Sequence, residues 1–473
     1  MNPAPTRVRY QVLVLGCLLA ALTYLDRACF GVAVPILVAE LDLPSEASLR
    51  WAHLAFALAY GLFEIPTGWW GDRFGPRRVL MRIVLWWSFF TALTGLVGWR
   101  VAGVTLGGLG FLTVVRFLFG AGEAGAFPNL ARALRNWFPP QARARALGCV
   151  WMSARLMGGL TPLVWTLLVA GTAYSEPVVS WRGAFVLFGG LGVVWCLIFA
   201  WRFRNRPTEH PDANPAERDL IAAGEPAPST YEAVPWTQVL FQRNLVCLYL
   251  MYFGITYGWY FNMTYLPACL ENRYGVDPTS LVGAVMKGGP LWLGAAGCLL
   301  GGYWTDRLLR RGVSLRWSRR LPGFVGLVLC AGCYLAAAGM PSAWSFALAI
   351  SLAAFFNDLV IGGAWSTTQD VGGRHTAVVA GVLNTAASAG AAVAGWMSGA
   401  VLQSYLNARA GELGLAVEGL SKEDKAPALV LGYETNLLIF AAVTAAAAIV
   451  WLGADASRPL GWSSNGRTDR INP

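Results

Sequence analysis

Long apolar runs, broken at regular intervals by short polar or arginine-rich stretches, set the pattern of this chain. A helix needs about 20 such residues to cross the hydrocarbon layer of a bilayer at 1.5 Å per residue. The first run covers 10–39, the second 51–70, a third extends to about Trp99, and a fourth contains Arg116 and Glu123. A fifth occupies 144–170 and a sixth ends near Arg206. Residues 207–240 then turn rich in proline, alanine and charge, which reads as a cytoplasmic linker, and His210 within it is expected to be solvated.

Beyond the linker the plan repeats. A seventh run covers 244–270, an eighth leads into 301–312, and a tenth carries Asn357, Asp358 and Ser366. The eleventh holds Asn384 and Ser388, and the twelfth ends near Leu452. The pattern predicts an all-α membrane protein with twelve transmembrane helices in two pseudo-symmetric six-helix bundles. Their expected limits are 1–206 and 241–455, with a cytoplasmic tail, 456–473, whose polar composition predicts disorder. A duplicated architecture with its site between the halves is what a rocking transporter needs.

Composition agrees with a bilayer. Of the 473 residues, 56% are hydrophobic and 13% charged, against about 25% charged in soluble domains, and mean hydropathy is +0.49. No cleavable signal is expected, because the first apolar run passes directly through Asp26 and Arg27 into more apolar chain. A net charge of +10 would suggest nucleic acid for a soluble protein. Here the arginines fall in alternate loops, which predicts both termini in the cytoplasm, a location in the cell (inner) membrane and no nucleic-acid partner. The nine cysteines are scattered through apolar runs, and Cys330 with Cys333 forms a CxxC lacking a His or a second pair, so packing is expected rather than metal or redox chemistry. No metal cluster, nucleophile elbow or phosphate loop is present, which argues against an enzyme and against any cofactor.

The candidate chemistry lies where charge interrupts the apolar runs. Arg116 and Glu123 are seven apart, almost two helical turns, so on an unbroken helix they share a face roughly 10 Å apart. An ionisable group at membrane depth costs roughly 2.5 kcal/mol or more, so it normally faces a protein interior or a wet cavity. The plainer alternative is a snorkelling Arg116 beside a structural Glu123. In the first run Tyr24 and Arg27 share a face, while Asp26 is turned about 100° from Arg27 towards a different neighbour. Tyr60 and Glu64 sit one turn apart in the second. Arg155, in the fifth, either lines the cavity or bridges carbonyls freed by Pro162. Lys287 either snorkels outward or adds positive potential to an entry path.

Gly68, Asp72, Arg73, Gly75, Arg77 and Arg78 form the loop pattern G-x-x-x-D-R-x-G-x-R-R, and Asp306 with Arg307, Arg310 and Arg311 forms a degraded second copy. On these residues the chain resembles the major facilitator superfamily. More finely it is similar to the anion:cation symporter family, through Tyr24-Leu25-Asp26-Arg27, then Arg116, Gly120, Glu123, Ala124, Phe127 and Pro128, and Trp137-Phe138-Pro139 with Arg143. Trp365, Asp370 and Asn384 fit that family's second half more loosely. That family includes carriers for galactonate, glucarate, hexuronates, glutamate and sialic acid. The resemblance implies Asp26 and Glu123 as proton carriers, with Tyr24, Arg27, Tyr60 and Arg116 at the substrate. It departs at Ala142, where an acid is usual before Arg143, and at Arg155.

An arginine grips a carboxylate with a planar fork, which suits recognition of an organic acid. Whether Glu123 holds a proton depends on whether a guanidinium, expected here to be that of Arg116, is free to pair with it. The expected function is proton-coupled symport of an organic anion, a sugar acid or other carboxylate, by alternating access, with protons as coupling ion and a monomer in the lipid bilayer as the working unit. Arg155, Tyr257, Ser366 and Asn384 are further candidates for substrate contact. Asp72, Arg73, Arg77, Arg78, Asp306 and Arg307 are expected to gate, through salt bridges at the cytoplasmic side strengthened by helix-end dipoles. Paired arginines also suit a phosphate or sugar-phosphate antiporter, which would exchange without a proton gradient.

Overall fold

The computed structural model describes residues 4–101, 104–171, 176–222, 233–277 and 280–461. It is helical almost throughout. The first helices are α1 (Val8–Glu40), α2 (Arg50–Phe74), α3 (Pro76–Thr94), α4 (Leu109–Glu123), α5 (Ala126–Trp137), α6 (Arg143–Trp165), α7 (Trp181–Arg202) and α8 (Pro215–Ala222). Then come α9 (Trp236–Phe241), α10 (Arg243–Thr264), α11 (Leu266–Tyr274), α12 (Leu281–Arg310), α13 (Leu315–Ala338), α14 (Ala343–Gly372), α15 (Thr376–Leu413) and α16 (Lys422–Trp451). Two three-residue strands, β1 (Trp99–Val101) and β2 (Val104–Leu106), pair antiparallel between α3 and α4. Among the described residues seven helical segments are long and apolar enough to cross a membrane; one of them, Ala343–Leu413, bends at Gly373, whose φ is +53°.

The chain divides into two compact units. One runs to Trp236 and also takes in Trp365–Thr385; the other comprises Thr237–Ala364 and Ala386–Arg458. In the first, α1 packs on α6, α2 on α4 and α3 on α7, around the fully buried rings of Phe30, Trp87, Phe119, Trp137 and Phe185. In the second, α10 and α13 pack on α16, and Tyr257, Phe261, Tyr334, Phe346 and Phe440 form the core. The segment 365–385 belongs by sequence order to the later bundle, yet it packs with the first unit, because side chains of α2 and α5 bind its backbone.

Asp72 shows how. Its carboxylate accepts the backbone N–H of Ala377 at 3.1 Å and of Val378 at 2.9 Å, two unpaired donors in the first turn of α15. A fixed negative charge at a helix N-terminus is stabilising by up to about 2 kcal/mol in a partly buried setting. Arg132 donates to the Gly373 carbonyl and Arg135 to that of Gln369, each at 2.9 Å, while the Gln369 amide donates to the Ala131 carbonyl at 2.7 Å. Gly68 and Gly381 allow this approach: a Cβ on Gly381 would meet the Glu64 carbonyl oxygen at 2.8 Å, and one on Gly68 would overlap the Ala377 carbonyl.

The described parts of the linker and tail are more ordered than their composition suggests. His210 is buried rather than solvated, its Nε2 at 3.0 Å from the Arg202 carbonyl and its ring edge-on to Trp137. Glu217 of α8 is fully buried: it accepts the N–H groups of Val8 and Arg9 at 3.2 Å and pairs with the Arg9 guanidinium at 2.9 Å. An acid far along the chain thereby caps α1, which has no cap of its own. Of the tail expected to be disordered, 456–461 is folded, with Ala456 buried and the Leu460 N–H donating to the Val371 carbonyl at 3.0 Å. Residues 462–473 lie outside the described residues.

Candidate functional site

The break between α4 and α5 falls immediately beyond Glu123. Ala124 is extended, with ψ 137°, and Gly125 adopts φ +82°, a left-handed conformation that glycine enters without strain. A Cβ at Gly125 would also collide with the Thr67 side chain. Asn129 fixes the turn, its side-chain amide donating to the carbonyls of Gly125 at 2.8 Å and Thr67 at 3.1 Å. Glu123 is thus the last residue of α4, and its side chain is fully buried.

Its partner is Arg27. The Arg27 Nε lies 2.9 Å from both Glu123 oxygens, and the guanidinium carbon sits 4.3 Å over the ring of Tyr60. Glu123 is inaccessible, whereas the Arg27 side chain is 26% exposed, although its Nη2 is buried without a hydrogen bond among the described residues. The pairing differs from the expected one. Arg116 makes no hydrogen bond or ion pair among the described residues; its guanidinium carbon lies 4.1 Å from the ring centre of Phe30 and 4.7 Å from those of Phe56 and Phe119. Seven-residue spacing gave Arg116 the right face, but aromatic rings on α1, α2 and α4 attract its cation through their negative faces.

Asp26 turns away from this pair, as its helical angle predicts. It is buried, and its carboxylate faces Trp87 and Thr91 of α3 without reaching hydrogen-bond geometry. Tyr24 accepts a hydrogen bond from Arg155 at 3.0 Å, and its ring meets Phe127 edge-on. Phe127 stacks on Trp151, which packs against Trp365. Arg155 thus has a side-chain partner on α1.

Asn384 of α15 comes to the same group. Its side-chain amide donates to the Tyr60 hydroxyl at 2.8 Å and to the Glu64 carboxylate at 2.6 Å. The first unit thus brings together Tyr24, Arg27, Tyr60, Arg116, Glu123, Arg155 and Asn384, with Asp26 one residue round the helix. Ser366 is fully buried beside Trp365, and Tyr257 belongs to the second unit's core, against Phe253 and Phe440. Glu64 is absent from the residues expected at the site. Its signal was an acid one turn after Tyr60 inside an apolar run.

The arrangement joins an inaccessible acid to a guanidinium that keeps part of its side chain accessible. It offers no metal site: among the described residues no group of three or more His, Cys, Asp or Glu side chains could hold an ion. Residues 16–395 match the Major Facilitator Superfamily.

The chain belongs to that superfamily.

It is 33% identical over 416 residues to a probable sulfoacetate transporter of Cupriavidus necator, covering 86% of this chain and 90% of the relative. A D-galactonate transporter of Escherichia coli is 29% identical over 415 residues, 85% of this chain and 91% of its own. Among solved structures, a bacterial homologue of the human lysosomal transporter Spinster superposes with TM-score 0.58 at 20% identity, covering 97% and 99% of the two chains. The human organic anion transporter MFSD10 does so with TM-score 0.64 at 13% identity, covering 94% and 100%. The fold is the major facilitator fold, and this superfamily member is a multi-pass membrane transporter, not an enzyme.

The loop motif of the superfamily divides its labour unevenly here. Asp72 binds Arg132 at 3.5 Å as well as the α15 N-terminus. Neighbouring Arg73 lies over Trp69 and Phe74, Arg77 donates to the Ala200 carbonyl, and Arg78 is exposed. None of these three is the ion partner of Asp72. One residue on, the helix has turned about 100°, and Arg77 and Arg78 already belong to α3. In the second copy Asp306 pairs with Arg319 at 3.2 Å, both side chains 1% exposed. The expected Arg307 points outward onto the Tyr303 hydroxyl. Arg143 pairs with Asp370 at 2.9 Å.

Proposed function

We propose that this transporter moves an organic anion together with protons, and that Arg27 is the residue for which anion and Glu123 compete. The observation that carries the reading is the Arg27–Glu123 pair, in which the acid is sealed and the base is partly open. The names of the relatives, carriers of sulfoacetate and galactonate, favour a small carboxylate or sulfonate as substrate. A bidentate guanidinium matches either group.

The cycle follows from charge balance. A substrate carboxylate on the accessible part of Arg27 withdraws the counter-charge from Glu123, and Glu123 then takes a proton, since an uncompensated charge in a dry site is costly. The loaded site carries little net charge and can reorient. When the anion leaves, Arg27 returns to Glu123 and the proton departs. Asp26, facing α3 with no ion pair among the described residues, carries a second proton. Asp72, through its hold on the first turn of α15, serves as a gate.

The test is uptake into proteoliposomes of galactonate, glucarate and sulfoacetate under an imposed inward proton gradient. Accumulation is expected for the wild type. Glu123→Gln should abolish accumulation while counterflow exchange persists. Uphill accumulation that survives in Glu123→Gln, or exchange indifferent to the proton gradient in the wild type, would refute the coupling.

A further inference from the structure

Glu64 is as buried as Glu123, with no exposed surface, yet the scheme above gives it no role. It has no ion-pair partner among the described residues. One carboxylate oxygen accepts the Asn384 amide at 2.6 Å, and the other is buried with no hydrogen bond. The groups facing it are Tyr60 of its own helix, Arg27 of α1, the Gly125 amide at the α4–α5 turn and Asn384 of α15. None of these supplies a cation at salt-bridge distance, because Arg27 is committed to Glu123.

The surroundings form a continuous relay. Glu123 holds Arg27, Arg27 lies on the face of Tyr60, and one Asn384 nitrogen donates to both the Tyr60 hydroxyl and Glu64. A negative charge on Glu64 strengthens its hold on that shared nitrogen, since hydrogen bonds to ionised acceptors are roughly twice as strong as neutral ones. A proton on Glu64 weakens that hold and leaves the amide to Tyr60, and through Tyr60 alters the surface on which Arg27 rests. Gly381, one turn before Asn384, packs against the Glu64 carbonyl, so the two helices approach closely at this point.

We infer that Glu64 is a further proton-carrying carboxyl of the transport cycle, which takes up and gives back a proton in step with the Arg27–Glu123 pair through Tyr60 and Asn384. The inference rests on the proton-coupled reading and extends it to one more proton per anion. Each turnover then protonates Glu64 on the side where the anion binds and deprotonates it where the anion leaves.

The experiment measures anion accumulated at equilibrium against an imposed pH gradient, with the membrane potential clamped at zero. Removing one coupled proton lowers the accumulation ratio by about tenfold per pH unit of gradient. Glu64→Gln, which keeps the shape and an acceptor for Asn384, should show that tenfold fall and retain counterflow exchange. Glu64→Asp, which keeps a titrating carboxyl, should accumulate as the wild type does. Equal accumulation ratios in the wild type and Glu64→Gln would overturn the role of Glu64 alone. A wild type whose uptake moves no protons would overturn the coupled reading itself. If Glu64→Gln shows no exchange and has lost its fold, the number of protons moved per anion by the wild type decides: two, the number that Glu123 and Asp26 supply in the proposed cycle, overturns the inference, and three upholds it.

Discussion

Replacing Arg27 by lysine isolates the property on which the proposed competition depends. The charge remains, but the planar guanidinium, whose Nε donates to both Glu123 oxygens at 2.9 Å, is lost, as is the flat contact with Tyr60 at 4.3 Å. A lysine ammonium has three donors but no fixed geometry, so it serves Glu123 and an incoming carboxylate less well at once. Loss of one charge-assisted hydrogen bond costs about 1.5 kcal/mol, and loss of stacking on a desolvated ring about 0.5 kcal/mol or more. The sum, about 2 kcal/mol, corresponds to roughly thirtyfold weaker binding. Calorimetric titration of the purified protein, with whichever of galactonate, glucarate or sulfoacetate binds the wild type, measures it directly. Arg116→Lys serves as the comparison. Binding within about twofold of wild type for Arg27→Lys, with the thirtyfold loss appearing in Arg116→Lys, would transfer the grip to Arg116 and refute the competition at Arg27.

Two further outcomes concern stability. Asp306→Asn should lower the thermal stability of the detergent-solubilised protein, because it takes the negative charge out of a buried ion pair, a cost of roughly 3–5 kcal/mol; a variant as stable as wild type would contradict this. Glu217→Ala strips the cap from the Val8 and Arg9 amides, and a lost cap with its charge–dipole part amounts to about 2 kcal/mol. Hydrogen exchange in the first turn of α1 should accelerate by roughly thirtyfold, while exchange in α16 stays unchanged.

The spans and the presence of buried charge were legible because both are local: apolar runs of the right length, and acids and arginines inside them. The direction of Asp26 was legible too, since 100° per residue fixes it relative to Arg27. Pairing was not. Arg116 and Glu123 share a face of α4, but Phe30 and Phe56 arrive from other helices and offer Arg116 an alternative that spacing along one helix cannot reveal. Asp306 gave the same lesson, because its partner Arg319 comes from α13 and not from the adjoining Arg307. The break at Gly125 had a signal in AGEAGAFP, glycine with proline three residues on, which the uninterrupted apolar run obscured. Burial of His210 and Glu217 was hidden by the composition of the linker, since a charged, proline-rich stretch looks solvated until a distant helix end requires a cap.

The phenylalanine cage around Arg116 has a consequence for electrical work. A guanidinium held by ring quadrupoles needs no carboxylate in contact, so protonation of Glu123 or Asp26 changes the field at Arg116 without taking away the rings that hold it. In the proposed cycle Arg116 then serves as a standing electrode that biases the site towards anions, while Arg27 is the residue that changes partner.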